Sequence, residues 1–478
     1  MKTVKIDGSE VCSTKEIIHL SITSERNDEI MGKYFGTDGV RGRANEELTM
    51  EMAIRIGQYL GWYYSQNKKH ARILIGKDTR LSGDMFELAL AAGATSTGAN
   101  CFLLGVCPTP AISYLVNKEK FDCGIMVSAS HNPYYDNGIK IFNHEGIKME
   151  EELLLQIEDY MDGKTELPLA TGDKVGEYVS WEDGMEIYIS WLKEIVPVDL
   201  SGMKIAVDLA NGSAVSSAVE TLTALGATVE AINNSPNGIN INLKAGSTHP
   251  EGLQRFVTEN ECDLGLAFDG DADRLIAVNS DGDLVDGDFI LYILGRHLKN
   301  VNRLNKNMVV TTVMANLGLY KALDQSKIDY IQTDVGDKYV LEEMQKNNYY
   351  LGGEQSGHII FYENAVTGDG LLTGLKLLEC MKDTNKSVQE LSEGLFIYPQ
   401  LLKNVRVKDK NIVLHDEDIQ NEIDAVAADL GEDGRILVRP SGTEPLIRVM
   451  VEARTDEICE ECVDRVCSLI NEKGYAAD

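Results

Sequence analysis

Three carboxylates stand at alternate positions in Asp269-Gly-Asp-Ala-Asp-Arg274, directly after the apolar run Leu264-Gly-Leu-Ala-Phe268. Crowded into one bent loop they repel one another, and a hard cation bound between them removes that cost. An EF-hand calcium loop does not fit, because position six is Arg274 rather than glycine and position twelve is Ser280 rather than glutamate. Octahedral Mg²⁺ held by three protein oxygens keeps positions open for phosphate, where it acts as a Lewis acid on a phosphoryl oxygen. A solvated acidic turn is the plain alternative. A nucleophile is offered elsewhere, in Val127-Ser-Ala-Ser-His-Asn-Pro-Tyr-Tyr-Asp-Asn-Gly-Ile-Lys140. Ser130 follows the strand-like run Gly124-Ile-Met-Val127, and open α/β sheets gather ligands just past the carboxyl ends of their strands. Asn132-Pro133 and Asn137-Gly138 are also ordinary turn formers, so an idle solvated turn is the reading to beat.

Two further stretches suit an anion and a sugar. Arg439-Pro-Ser-Gly-Thr-Glu-Pro-Leu-Ile-Arg448 surrounds the Ser441, Gly442 and Thr443 turn with two forked guanidinium donors, a set able to grip a phosphate dianion. Gly352-Gly-Glu-Gln-Ser-Gly-His358 brings Glu354, Ser356 and His358 onto a glycine-rich backbone, giving the mixture of donors and acceptors that sugar hydroxyls need. Gly36-Thr-Asp-Gly-Val-Arg-Gly42 similarly places Arg41 among glycines. None of these has Walker A or dinucleotide-fingerprint spacing.

Alternating strands and helices must carry these loops. Arg72–Ile75, Cys101–Leu104 and Gly124–Val127 read as strands, as do Lys204–Asp208, Thr228–Ile232, Leu264–Phe268, Met308–Thr312 and Asp329–Gln332, with apolar helices between them. After Tyr398-Pro399 the order changes to a strand, a helix, two strands and a helix. The expected architecture is three similar α/β domains with mixed sheets (31–184, 185–284, 285–397) and a smaller C-terminal α+β domain (398–478). Residues 1–30 carry no motif and read as an extension ahead of Met31.

Composition narrows the function classes. The 478 residues carry a net charge of −31, which repels nucleic acid and anionic membranes. No run of 18 apolar residues and no secretion signal is present, so a cytoplasmic protein is expected. Nine scattered cysteines suit reduced, buried thiols, and the lone Cys459-Glu-Glu-Cys462 lacks the partners of a zinc site.

The motifs together resemble the α-D-phosphohexomutase family. The resemblance rests on Tyr34-Phe-Gly-Thr-Asp-Gly-Val-Arg-Gly42, Ser128-Ala-Ser-His-Asn-Pro133, Ala245-Gly-Ser-Thr-His-Pro250, Asp269-Gly-Asp-Ala-Asp-Arg274, Gly352–His358 and Arg439–Pro445, in the family's order. It implies four domains around a central active-site cleft, with Ser130 phosphorylated and one Mg²⁺ bound by Asp269, Asp271, Asp273 and that phosphoserine. It further implies sugar contacts from Glu354 and Ser356 and phosphate contacts from Arg439, Ser441 and Thr443, to which Gly442 and Arg448 are added as substrate-binding candidates. Gln355 and the Ala245–Pro250 run point to the glucosamine branch. The activity expected is isomerisation of glucosamine 6-phosphate and glucosamine 1-phosphate through glucosamine 1,6-bisphosphate, an intermediate and candidate activator, in supply of UDP-N-acetylglucosamine and cell-wall synthesis. Arg274 and Arg41 are candidates for stabilising the transferring group, and Lys140 and His358 for moving the hydroxyl proton. Related hexose phosphomutases, a metal-dependent sugar phosphatase and a non-catalytic sugar-phosphate sensor are the alternatives; a homodimer is compatible with the resemblance. Two features depart from the family pattern: the N-terminal extension, and Lys338 in Val335-Gly-Asp-Lys-Tyr339 where arginine is usual. Lysine keeps the charge but not the fork.

Overall fold

The computed structural model describes residues 32–181, 183–441 and 444–477. The extension expected over residues 1–30, and the candidates Gly442 and Thr443, lie outside the described residues.

Three mixed sheets and one antiparallel sheet organise the chain. The first runs Val40–Arg43, Asp136–Asn143, Cys123–Val127, Arg72–Lys77, Asn100–Val106, Tyr178–Ser180 from edge to edge. In the second the order is Leu284–Val285, Leu275–Asn279, Leu264–Phe268, Lys204–Asp208, Thr228–Ile232. The third is Asp329–Thr333, Met308–Thr312, Leu351–Gly353, Ile359–Phe361. A shared unit recurs in all three. Two strands flank a central one in parallel, and a fourth returns antiparallel to the third. The return loop is therefore equivalent in each sheet. It is residues 128–135 in the first, 269–274 in the second and 354–358 in the third, which are the serine, triple-aspartate and glycine-rich motifs.

The central strands form where they do because they are buried on both faces. Cys123–Val127, Leu264–Phe268 and Leu275–Asn279 have every residue buried, and continuous apolar runs are what such strands require. Polar residues then appear where the chain leaves the sheet, so the chemistry of each loop begins at the carboxyl end of a rigid, buried strand. Helices Met50–Ser65, Gly83–Ser96, Thr109–Lys118, Gly287–Asn300 and Gly370–Thr384 cover the sheets. The last has eleven buried residues and starts at Asp369, whose carboxylate caps Leu372 N–H at 2.9 Å.

The C-terminal unit is an antiparallel sheet ordered Gln400–Arg406, Leu446–Glu452, Arg435–Pro440, with helices Glu417–Leu430 and Asp456–Glu472. It has its own apolar core around Val413, Ile447, Val451, Val463 and Ile470. Its attachment to the preceding unit is polar: Arg435 donates to the Val313 and Ala315 carbonyls at 3.0 and 2.6 Å and pairs with the fully buried Glu452 at 2.7 Å. Cys459 and Cys462 are buried free thiols in the last helix, and the metal-capable cluster found among the described residues is the aspartate triad.

Candidate active site

Ser130 is buried and adopts φ 51°, a left-handed conformation that a non-glycine residue keeps only when its surroundings enforce it. The enforcement is visible. Its N–H donates to Ser128 Oγ at 3.0 Å, and its carbonyl accepts from Arg80 Nη2 at 2.8 Å and Asn242 Nδ2 at 2.9 Å. The hydroxyl is left to face the second sheet's loop, donating to Asp269 Oδ2 at 2.6 Å. Gly270 makes this approach possible, since a Cβ there would lie 2.4 Å from the Ser130 carbonyl oxygen.

Asp269, Asp271 and Asp273 are all buried, with one oxygen from each lying within 4.8 Å of the others. Burial, reinforced by the charges of Asp273 and Asp271, pushes the Asp269 pKa well above the carboxylate range. Burial acts on Asp271 in the same direction but loses to Lys140 and Thr109, whose hydrogen bonds at 2.7 and 2.6 Å hold it below that range. Asp271 Oδ1 and Asp273 Oδ1 are buried with no hydrogen-bond partner. Unpartnered anionic oxygens beside a carboxylate that resists ionisation form a donor set that a hard divalent cation satisfies.

Lys140 Nζ also lies 3.5 Å from Asp38 Oδ2 and 3.7 Å from Asp273 Oδ2. These charges outweigh its burial and keep it an ammonium. His358 arrives from the third sheet's loop, with Nδ1 at 3.7 Å from Asp273 and Nε2 at 3.7 Å from Asp337. Burial disfavours its charge, yet the Asp273 hydrogen bond and both carboxylates raise its pKa. The Gly368 N–H, donating to Nε2 at 3.0 Å, opposes a second ring proton there, and this direct contact places the ring proton on Nδ1. Arg274 donates its backbone N–H to Asp269 Oδ1 at 3.2 Å, and its side-chain Nε is buried and unpartnered 3.8 Å from Asp273. Arg41 pairs with Asp38, and its Nε is likewise buried and free. Ser130, the triad, Lys140, His358, Arg274 and Arg41 thus form one cluster drawn from three sheets.

The remaining sugar-loop candidates sit at its edge. Glu354 is half-buried and accepts the Gly336 N–H at 3.2 Å, while Ser356 is exposed. The Gln355 amide donates to Asp286 at 3.2 Å, so it holds the loop against the helix that Asp286 caps. Arg439 and Arg448 occupy directly opposed positions on adjacent antiparallel strands of the C-terminal sheet. Burial and the Arg448 charge lower the Arg439 pKa, and Arg448 Nε is buried without a partner. Among the described residues neither guanidinium meets a carboxylate, an arrangement that an anion would relieve. Ser441 is buried next to them, and its carbonyl accepts from Lys410 Nζ at 2.7 Å.

Sequence reasoning missed Arg80. Its guanidinium is wholly buried, pairs with Asp78 at 2.7 Å, and besides the Ser130 carbonyl reaches those of Asn132 at 2.9 Å, Asp136 at 3.1 Å and Pro133. One forked cation thus fixes three carbonyls of the serine loop and that of Asp136 just beyond it. A buried arginine in Gly76-Lys-Asp-Thr-Arg-Leu-Ser-Gly83 was visible as a type, but its acceptors are 50 or more residues away.

Residues 32–168 match the description Phosphoglucomutase/phosphomannomutase, alpha/beta/alpha domain I. Residues 186–282 and 286–397 match its domains II and III, and residues 402–469 its C-terminal domain. The chain belongs to the phosphoglucomutase/phosphomannomutase family. A relative from Lachnospira eligens described as phosphoglucosamine mutase is 52% identical over 449 residues, covering 93% of this chain and 100% of that protein. Another of that description, from Oceanobacillus iheyensis, is 50% identical over 442 residues, 92% of this chain and 99% of its own. Among solved structures, a family protein from Burkholderia thailandensis superposes with TM-score 0.77 at 23% identity, covering 93% and 98% of the two chains. Aspergillus fumigatus N-acetylphosphoglucosamine mutase, in complex with GlcNAc-6P and magnesium, gives 0.66 at 17% identity over 93% and 96%. Both share the family fold with this chain.

Proposed function

We propose that this chain is an isomerase that interconverts glucosamine 6-phosphate and glucosamine 1-phosphate, carrying a phosphoryl group on Ser130. The observation that carries this reading is the buried Ser130 hydroxyl 2.6 Å from Asp269 within a three-aspartate cluster. The relatives of about half-identical sequence described as phosphoglucosamine mutase supply the substrate class. In the first half-reaction a sugar hydroxyl attacks phosphorus, the bond to Ser130 Oγ breaks, and a glucosamine 1,6-bisphosphate forms. It turns over in the cleft and returns its other phosphoryl group to Ser130. Asp269, Asp271 and Asp273 would hold Mg²⁺, which supplies Lewis-acid charge stabilisation on the phosphoryl oxygens. We assign the proton step to Lys140: in the first transfer its ammonium protonates the departing Ser130 Oγ and its amine takes the proton of the incoming sugar hydroxyl, and on the return it protonates the departing sugar oxygen and takes the proton of Ser130, so each transfer ends with the lysine recharged. His358, whose Nε2 is engaged by Gly368, orients Asp273. Arg274 and Arg41 keep donors free for the transferring group, and positioned charge is what phosphoryl transfer rewards.

Glu354 and Ser356 would meet the sugar, and Arg439, Ser441, Gly442, Thr443 and Arg448 the phosphate that is not reacting. We place the reaction in the cytoplasm; the eight described cysteines are free and buried, which suits a reducing compartment. Among the described residues no helix is long and apolar enough to cross a membrane. Incubation with glucosamine, glucose and mannose 6-phosphates, Mg²⁺ and trace bisphosphate tests the proposal. Glucosamine 1-phosphate should form fastest and without inorganic phosphate. Release of phosphate with no isomer would instead mean a phosphatase, and binding without turnover on an unmodified Ser130 would mean a sensor.

A further inference from the structure

A third lysine, outside every motif, joins the serine-bearing unit to the sugar-loop unit. Lys148 follows the strand Asp136–Asn143, and its backbone is tied back to that strand by a bridge to Phe142 and by the adjacent Met149 N–H to the Ile141 carbonyl at 2.9 Å. Its Nζ lies 2.9 Å from Asp38 Oδ1 and 2.8 Å from Asp337 Oδ2. These two carboxylates belong to different units and face different halves of the site. Asp38 pairs with Arg41 and lies 3.5 Å from Lys140, the lysine seated on Asp271. Asp337 opens the helix Asp337–Asn347, lies 3.7 Å from His358, and follows Gly336, whose N–H is taken by Glu354. A continuous chain of alternating charges therefore runs from Asp271 through Lys140, Asp38 and Lys148 to Asp337, whose carboxylate lies beside the His358 ring, and that ring reaches Asp273 on its other side.

At this edge the two units border a cavity. Asp38, Lys140, Lys148 and Asp337 line a cavity of about 460 Å³ whose other wall includes Leu154 and Leu341. Beside that cavity the ion pairs at Lys148 bridge the two units directly, and Lys338 and Glu151 pair across the same edge. That second contact turns the unusual Lys338 toward the serine-bearing unit as well.

We propose that Lys148 is a positioning residue for the mutase reaction: the strut that sets the separation between the phosphoryl-transfer loop and the loop that holds the sugar. This rests on the isomerase reading above. Without the strut, Asp38 is freed to draw Lys140 away from Asp271, and the helix at Asp337 is freed to carry Gly336, Glu354 and His358 away from the triad. Reacting oxygen and phosphorus are then misaligned, and a misplacement of about 1 Å costs roughly 100-fold in such a step. The bisphosphate, which has to turn over between the same two units, is also held less well and escapes more often.

Lys148→Met, Lys148→Arg, Asp337→Asn and the double variant Lys148→Met/Asp337→Asn, each compared with the unmodified enzyme, test this. Readouts are KM and kcat for glucosamine 6-phosphate, free bisphosphate released per turnover, Ser130 phosphate occupancy by intact mass, and melting temperature. The expected result for Lys148→Met is a KM raised ~10-fold or more, kcat lowered up to ~100-fold and more bisphosphate released, with occupancy and melting temperature retained. Lys148→Arg should recover most of the loss, and the double variant should be no worse than the worse single one. Unchanged kinetics in Lys148→Met would overturn the assignment. So would parallel loss of melting temperature and occupancy, which would make the lysine a fold residue, or a double variant in which the two losses multiply. Failure of the unmodified enzyme to isomerise would instead strike the isomerase reading itself.

Discussion

We propose the transfer centre around Ser130 and the arginine pair of the C-terminal sheet as the two phosphate sites, and they are built in opposite ways. At the transfer centre the backbone of Ser130 is held on both sides, its N–H by Ser128 and its carbonyl by Arg80 and Asn242. The unsatisfied atoms are carboxylate oxygens and two guanidinium Nε groups aimed at the space a cation and a phosphoryl group would fill. In the C-terminal unit two arginines stand opposite each other on a strand pair and, among the described residues, neither guanidinium pairs with a carboxylate. The first site is rigid because the chemistry occurs there. The second is incomplete until a substrate phosphate arrives, and it sits on a unit with a separate core. Electrostatic repulsion is stored in both, negative in one and positive in the other, so ligand binding is also the release of strain.

That contrast can be broken first at the triad. Asp269→Asn should remove magnesium dependence and lower turnover by ~100-fold or more, while the metal-free protein melts at a higher temperature because one of three crowded carboxylates is gone. Arg80→Met should lose both properties together. Breaking a buried pair leaves Asp78 uncompensated and costs ~3 kcal/mol or more, and the freed serine loop should lower kcat with little change in metal affinity. Arg448→Ala should separate the two once more, with KM for the sugar phosphates rising ~10-fold and stability unchanged or slightly higher, since it removes a like charge directly opposite another. The smallest effect is on stability alone. Burial raises the pKa of Asp369 to about 6, although its cap to Leu372 and its bond from Tyr188 at 2.8 Å work the other way. A carboxyl raised in the fold contributes stability that is full below its unfolded value near pH 4 and is lost as pH rises through about 6. Asp369→Asn should therefore flatten the pH dependence of denaturant midpoints across that window.

The strands were the most legible part of the fold. Lys204–Asp208, Thr228–Ile232, Leu264–Phe268 and Met308–Thr312 have the bounds their apolar runs predicted, and in the central Leu264–Phe268, buried throughout, that run is unbroken. The serine and aspartate loops were legible for the complementary reason: hydroxyl and carboxylates placed directly after such runs have few structural uses. Helices Met50–Ser65 and Glu151–Met161 were not anticipated, nor was Leu275–Asn279, which returns from the aspartate loop. The helix Gly370–Thr384 left a usable signal in its capping Asp369 ahead of a leucine-rich run. Arg80, Asp38, Lys148 and Asp337 could not be found by pattern. Their partners are distant in sequence, and a charged residue in a loop reads as solvated until the fold buries it.

The covalent relay through Ser130 is tested most directly by following its phosphoryl group. The enzyme is charged with isotopically labelled phosphate, freed of excess donor, mixed with unlabelled glucosamine 6-phosphate and Mg²⁺, and quenched over a time course. The label should leave Ser130 at the rate of turnover, appear first in glucosamine 1,6-bisphosphate and then in a sugar monophosphate, and never precede that order. Label that remains on the protein while isomer accumulates, or that departs as inorganic phosphate, would contradict the account.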